Sequence, residues 1–170
     1  MWGSVSNIGT AYSNSSVSYS ASGKGVAIFL AGTIASTNYY NGTNWVAPIP
    51  IGFNVNDVIS GIDSSGNAII GFVDAPSGSI LVYTTNDGGT YTPSPQNPVA
   101  AGVGNTSLSL AVAEGDTAVL TWIDASSNGQ ASTFNGSTWS APIQYATNVA
   151  PPPSYLDTAS VAVDSNGNAL

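Results

Sequence analysis

The chain has 170 residues, a length typical of one domain or of part of a repeat array. Charged residues make up only 6 %: Lys24 stands alone against nine acidic residues, the formal net charge is −8, and His, Cys and Arg are absent. Without His or Cys, acid–base catalysis, His-assisted nucleophiles and Cys/His zinc sites lack their usual side chains. The single cation also predicts no nucleic-acid partner and repulsion from anionic membranes.

Hydrophobic residues nevertheless make up 42 % of the chain, so its low charge does not indicate disorder. The best apolar run, residues 26–35, is interrupted by Gly32 and reaches about half of the ~20 residues that a membrane-spanning helix needs. Residues 1–4 lack the charged start and apolar stretch of a signal peptide. We expect a mature chain, or a piece of a longer one, without membrane insertion.

The first predicted elements are two strands joined by a glycine turn. Alternating apolar and polar residues at 17–23 lead into the turn, and an apolar strand then ends at Phe29. The pattern recurs at 59–67 before Phe72, at 108–116 before Trp122, and at 161–168 near the last residue. The turn glycines are 43, 49 and 52 residues apart, which indicates an internal repeat.

A second motif interleaves with the first: Asn or Asp, Gly, two small polar residues and an aromatic residue. Its aromatic positions are 46 and 48 residues apart, and Trp2 lies 43 residues before the first of them. Two motifs in constant phase are far more specific than either alone. The key residues of the three copies are Asn41, Gly42 and Trp45; Asp87, Gly88 and Tyr91; and Asn135, Gly136 and Trp139.

Each repeat is predicted to form four short strands, which in the second unit span 58–63, 68–73 and 79–84 and then start near Tyr91. Four strands per 43 to 52 residues is the size of a β-propeller blade. We therefore predict one all-β propeller segment with three complete four-stranded repeats and partial terminal units, with repeats at 2–44, 45–90, 91–138 and 139–170. Three blades are fewer than the ~4 to 8 of closed propellers, so we expect part of a larger, six- to eight-bladed propeller or closure by self-association.

The repeats resemble the bacterial neuraminidase repeat, or Asp-box, of sialidase-like propellers. The usual pattern is Ser/Thr-x-Asp-x-Gly-x-Thr-Trp; residues 85–91 match it closely but are one residue short and end in Tyr, and the other copies have Asn for Asp. The repeats are also similar to those of uncharacterised bacterial surface proteins. Sialidases hold their substrate with three arginines and use a Tyr–Glu pair, whereas this chain has no Arg and a single Glu, Glu114. The resemblance therefore implies the scaffold without the activity.

The turn motif supplies one set of candidate residues. Its leading residues, Asn41, Asp87 and Asn135, are expected to accept backbone N–H bonds inside tight turns. Asp63, Asp124 and Asp164 begin other turns. Residues 164–168 are loosely similar to a calcium loop but lack its length and its bidentate Glu. We accordingly predict turn chemistry rather than a metal site, and no cofactor.

Aromatic residues supply the other set of candidates. Those that recur in register are predicted to lie in the core: Phe29, Trp45, Phe72, Tyr91, Trp122 and Trp139. Five tyrosines lie out of register, and each can stack on a sugar or simply face solvent: Tyr39, Tyr40, Tyr83, Tyr145 and Tyr155.

The sequence is compatible with two functions. The first is a non-enzymatic extracellular or cell-surface module for structure, adhesion or weak binding of a neutral glycan, with a glycan or a surface protein as partner. The second is a fragment of a sialidase-like glycoside hydrolase whose catalytic residues lie outside this chain.

Overall fold

Three successive four-stranded antiparallel meanders make up the fold. The computed structural model describes residues 14–93, 107–147, 149 and 161–164. In each meander the strands are hydrogen-bonded in chain order. Sheet 1 contains β1 Ser15–Tyr19, β2 Gly25–Ala31, β3 Ile34–Tyr40 and β4 Ile49–Phe53. Sheet 2 contains β5 Val55–Ile62, β6 Ala68–Asp74, β7 Ser79–Thr85 and β8 Thr92–Pro93. Sheet 3 contains β9 Ser109–Val112, β10 Thr117–Ile123, β11 Gly129–Asn135 and β12 Ile143–Ala146.

The first two strands of each sheet are joined by the same turn. A backbone N–H donates to the carbonyl four residues later in all three: Ser20 to Lys24, Asp63 to Asn67 and Ala113 to Thr117. The third residue after each donor has a positive φ, at Gly23 (83°), Gly66 (93°) and Asp116 (62°). Glycine and short polar residues tolerate this conformation, which explains why the sequence repeat marks these turns.

Sheet 2 packs between its two neighbours, and β6 shows why. Side chains alternate across a strand, so Ile70 and Phe72 join a core with sheet 1, whereas Ile69 and Val73 join a core with sheet 3. We call the face that a sheet turns towards the preceding sheet its front, and the opposite face its back. Because β6 is buried on both faces, its sequence reads as a continuous apolar run.

The first strands of the sheets lie side by side and are linked by serines. The Ser60 N–H donates to Ser16 Oγ (3.0 Å), and Ser18 Oγ donates to the Ser60 carbonyl (2.9 Å). The Val161 N–H donates to Ser109 Oγ (3.0 Å), which places residue 161 beside β9 as the next member of the row. Four-stranded sheets packed face to face, with their first strands in a row, have the architecture of propeller blades.

The predicted all-β propeller fold is confirmed, and the strands predicted for the second unit agree closely with β5 to β8. The repeat limits drawn from the sequence divide the chain differently: residues 45–90 combine β4 of sheet 1 with the first three strands of sheet 2. Most residues of the partial terminal units, 2–13 and 165–170, lie outside the described residues, so the number of blades stays a prediction. No helix in the described part of the chain is long and apolar enough to span a membrane.

The aromatic residues expected in the core divide into two groups. Phe29, Phe72, Trp122 and Trp139 are buried. Tyr91 is partly buried at the interface of sheets 1 and 2, where its hydroxyl lies 3.0 Å from Thr37 Oγ1. Trp45 corrects the expectation, because it lies half-buried on the front of sheet 1 against Tyr40 rather than in the core.

Candidate functional site

The leading side chains of the three turn motifs are engaged inside their own turns. Asn41 Oδ1 accepts the N–H groups of residues 43 and 44 (both 2.9 Å), and Asn135 Oδ1 accepts those of residues 137 (3.0 Å) and 138 (2.9 Å). Asp87 Oδ1 accepts those of residues 89 (2.8 Å) and 90 (3.2 Å), and these donors hold the pKa of Asp87 below its usual value. Gly42, Gly88 and Gly136 follow them with φ of 98°, 72° and 89°. These motifs therefore organise turns and leave little bonding capacity for a ligand.

Tyr39 is a core residue, which corrects its assignment as a candidate for sugar stacking. Its side chain is only 1 % exposed, and its hydroxyl donates to the Gly66 carbonyl (2.6 Å), with the Asn86 carbonyl 3.3 Å away. Burial raises the pKa of Tyr39, with smaller contributions from the charges of Asp87 and Asp63. The residue points from sheet 1 into sheet 2, and the sequence gives no sign of this contact.

The other predicted tyrosines occupy different environments. Tyr83 is partly buried and stacks on Phe72 with ring centres 5.7 Å apart. Tyr145 is 52 % exposed on β12 and packs over Gly129. Tyr40 forms a row on the front of sheet 1 with Trp45 (5.4 Å) and Tyr19 (6.2 Å). Tyr155 lies outside the described residues. The structure thus does not bring the four described tyrosines together into one site.

A cavity of about 390 Å³ lies between sheets 2 and 3, at the end where the turn motifs are found. Sheet 2 contributes side chains with hydroxyl and amide groups, and sheet 3 contributes an aromatic ring, a carboxylate and a glycine. The lining residues include Asn67, Thr84, Asn86, Thr90 and Thr92 from sheet 2, and Asp116, Phe134 and Gly136 from sheet 3.

The cavity exists because two large side chains that fill the first interface are small at the second. Tyr39 pairs with Val26, the second residue of β2, and Thr84 pairs with Ile69, the second residue of β6, so Tyr39 and Thr84 are equivalent in the strand register. Lys24 and Asn67 are likewise equivalent, as the carbonyl acceptors of their turns. Between sheets 1 and 2 the Tyr39 ring packs on Gly88, and the Lys24 chain lies against Gly66, with Nζ donating to the Ser65 carbonyl (3.2 Å). Between sheets 2 and 3, Thr84 and Asn67 leave that space open.

The charge in the cavity is negative and is concentrated at Asp116. Burial raises the pKa of this carboxyl group, the neighbouring charge of Asp63 adds to the rise, and the Asn67 side chain opposes it by hydrogen bonding. Asp63 itself is buried and accepts both the backbone N–H (2.8 Å) and the side-chain amide (2.9 Å) of Asn67. Asp116 is the only charged residue among the described residues that line the cavity, so an anion would meet repulsion there.

The cavity places polar groups beside apolar surface. It offers hydroxyl and amide groups, which both donate and accept, beside the Phe134 ring and the Ile69 side chain. No group of three or more acidic, His or Cys side chains that could hold a metal ion occurs among the described residues. The sequence does not reveal this site, because its polar residues are ordinary turn residues; the small Thr84 in the place of Tyr39 is visible only in the strand register.

Comparison with known proteins supports the fold. No protein-family model matches the chain, and no curated protein matches it. The solved structure of the Hadza microbial sialidase Hz136 superposes on 78 % of this chain with a TM-score of 0.52 at 14 % identity, and the match spans 33 % of that protein. At this identity the match shows a shared sialidase-like propeller fold and no more, and the chain covers about a third of the sialidase. Membership of the Asp-box family stays a prediction.

Two lectin structures are similar at lower scores. An Aleuria aurantia lectin mutant in complex with α-methyl-L-fucoside matches 95 % of this chain and 71 % of its own length at 17 % identity, with a TM-score of 0.45. A fucose-specific lectin from Aleuria aurantia matches 91 % and 68 % at 16 % identity, with a TM-score of 0.40.

Proposed function

We propose that this chain is a non-catalytic β-propeller module that binds neutral glycans outside the cell or at its surface. The observation that carries the proposal is the cavity between sheets 2 and 3, in which hydroxyl and amide groups converge beside an aromatic ring. Sugars present hydroxyl groups at their edges and apolar C–H groups on their faces, and such a lining satisfies both. A volume of about 390 Å³ is within the range of small-ligand pockets.

Residue chemistry supports binding without catalysis. The chain has no Arg, His or Cys, and its single Glu, Glu114, lies exposed in a turn where its carboxylate accepts the Ser64 hydroxyl. A carboxylate pair flanking a glycosidic bond would require a second acid aimed at the same place. Asp63 and Asp116 are neighbouring acids among the described residues. Asp63 is buried and its carboxylate accepts an N–H group of its own turn, so it does not act as the second acid of such a pair.

The first test is calorimetric titration of the purified chain with neutral oligosaccharides chosen from a glycan array. Thr90→Val keeps the side-chain shape but removes a hydroxyl group from the cavity, and we expect about 1 kcal/mol weaker binding. Thr138→Val is the matched control, because Thr138 has the same place in the turn of sheet 3, where its N–H donates to Asn135 as that of Thr90 donates to Asp87. Equal effects of the two substitutions, or no neutral glycan bound by the wild type, would contradict the proposal.

A second assay addresses catalysis. The purified chain is incubated with fluorogenic sialosides and with neutral aryl glycosides, and the expected result is turnover equal to the buffer blank. Turnover above that blank that is retained through successive purification steps would show that the chain is an enzyme.

A further inference from the structure

The first interface of the molecule shows in detail how a ring sits between two sheets. The Tyr39 phenol, carried by sheet 1, packs so closely on Gly88 that a Cβ there would lie 2.1 Å from the Cβ of Tyr39. Its hydroxyl donates to the Gly66 carbonyl, with the Asn86 carbonyl also nearby. Three positions of sheet 2 therefore form a receptor for a six-membered ring with one hydroxyl group.

Sheet 3 has the same three positions, and all three line the cavity. Phe134 and Gly136 flank Asn135 as Asn86 and Gly88 flank Asp87. Asp116 is equivalent to Gly66, because each is the third residue after the N–H donor of its turn. At Gly136 the nearest atoms to an added Cβ belong to its own sheet, at 3.5 Å and 3.7 Å, so no ring from sheet 2 covers it. The receptor is repeated at the second interface, but its built-in ring is absent because Thr84 stands where Tyr39 would be.

We propose that a single neutral hexopyranose ring takes this place, with one face against Gly136 and a hydroxyl group directed towards the turn carbonyls of sheet 3. This inference rests on the proposed function and assigns it a site, a ligand size and a charge class. The structure favours a sugar over a phenol because Asn86, Thr90 and Thr92 line the remaining space, and an apolar ring would leave their polar groups without partners.

Two further properties of the ligand follow from the same geometry. The equivalent space between sheets 1 and 2 holds one ring, so the site recognises a single terminal sugar rather than the interior of a long chain. The Asp116 carboxylate and the absence of any cation among the described lining residues disfavour acidic sugars such as sialic acid. The site thus differs in charge preference from a site that binds the sialic acid carboxylate.

The test is calorimetric titration of the whole chain with the methyl glycosides of glucose, galactose, mannose and fucose, with sialic acid, and with p-cresol as the free analogue of the Tyr39 side chain. We expect at least one neutral glycoside to bind, with one site per chain. Thr84→Tyr restores the ring that the first interface already accommodates and should weaken binding at least about tenfold. Thr133→Tyr is the matched control: Thr133 is equivalent to Thr84 but exposed on the back of sheet 3, and its substitution should leave the affinity unchanged.

Asn86→Leu provides a second variant that does not depend on fitting a ring into the interface. Asn86 is exposed in a turn, so its replacement should preserve folding while removing an amide group from the cavity, and we expect about a fivefold loss of affinity. Neutral glycoside binding that both Thr84→Tyr and Asn86→Leu retain would overturn the assigned site while leaving glycan binding intact. Binding of p-cresol without any sugar, or preference for sialic acid, would overturn the ligand class, and a wild type that binds no sugar at all would refute the proposed function itself.

Discussion

The same aromatic pair occurs on the front of sheets 1 and 3 and has a different environment in each. Tyr40 and Trp45 bridge β3 to the next segment with ring centres 5.4 Å apart, and Phe134 and Trp139 do the same in sheet 3 at 5.2 Å. Phe134 and Trp139 are 6 % and 5 % exposed, whereas Tyr40 and Trp45 are half-buried. The turn motif therefore determines the local geometry, and a neighbouring sheet determines the burial.

The reason lies in what covers each front face. Sheet 2 places Ile69, Val73, Ile80 and Val82 against the pair in sheet 3. On the front of sheet 1 the described residues place Tyr19 beside the pair, and Tyr19 is itself 66 % exposed. The energetic importance of one sequence motif thus varies between copies, which mutagenesis can measure directly.

The largest expected effect is that of Trp139→Ala. Removing a large buried ring from a packed interface creates a cavity, and we expect the free energy of unfolding to fall by about 3 to 5 kcal/mol. Trp45→Ala removes a half-buried ring and should cost about 1 to 2 kcal/mol. Urea denaturation followed by circular dichroism measures both values. Equal losses would show that an additional sheet covers the front of sheet 1 in solution.

The next effect concerns the ring that fills the first interface. Tyr39→Phe keeps the ring but removes the hydroxyl group that donates to the Gly66 carbonyl, so a buried acceptor loses its partner. We expect a loss of about 1 to 2 kcal/mol in the same urea experiment. Tyr145→Phe, at an exposed tyrosine, is the control and should be neutral. A neutral Tyr39→Phe would mean that the hydroxyl bond contributes no net stability to this interface.

Asp87 should contribute a pH-dependent part of the stability. Its folded-state pKa is lowered, so its contribution is fully present above the unfolded-state pKa and is lost as the pH falls through the folded-state value. Asp87→Asn introduces the residue found in the other two motifs. Below about pH 4 its free energy of unfolding should fall less steeply with decreasing pH than that of the wild type. Parallel pH curves for the two proteins would contradict this assignment.

The smallest effect is expected at Asp116, and its sign is opposite. Burial raises the folded-state pKa of this carboxyl group, so ionisation disfavours the folded state and stability falls as the pH rises from the unfolded to the folded pKa. Asp116→Asn removes that penalty and should stabilise the chain by less than about 1 kcal/mol at neutral pH, with the gain vanishing in acid. Thermal melts over a pH series give the result, and a destabilised variant at neutral pH would contradict it.

The fold could be predicted because the repeated residues lie in turns, where the backbone conformation limits which residue types fit. Gly23, Gly66 and the Asn or Asp residues of the turn motif mark chain reversals, and the apolar runs between them are β2, β6 and β10. The candidate site could not be predicted from the sequence in the same way. Sequence alone places Tyr39 among the tyrosines that could face solvent, because its burial depends on a sheet that follows it in the chain. The small Thr84 in the place of Tyr39 becomes evident only when the two interfaces are superposed.

Soaking crystals of the wild-type chain with the tightest-binding methyl hexopyranoside tests the central claim most directly. The account predicts density for one sugar ring between Thr84 and Gly136, in the space that corresponds to the Tyr39 phenol of the first interface. Density on the Tyr19, Tyr40 and Trp45 row, with the cavity between sheets 2 and 3 containing only solvent, would contradict it.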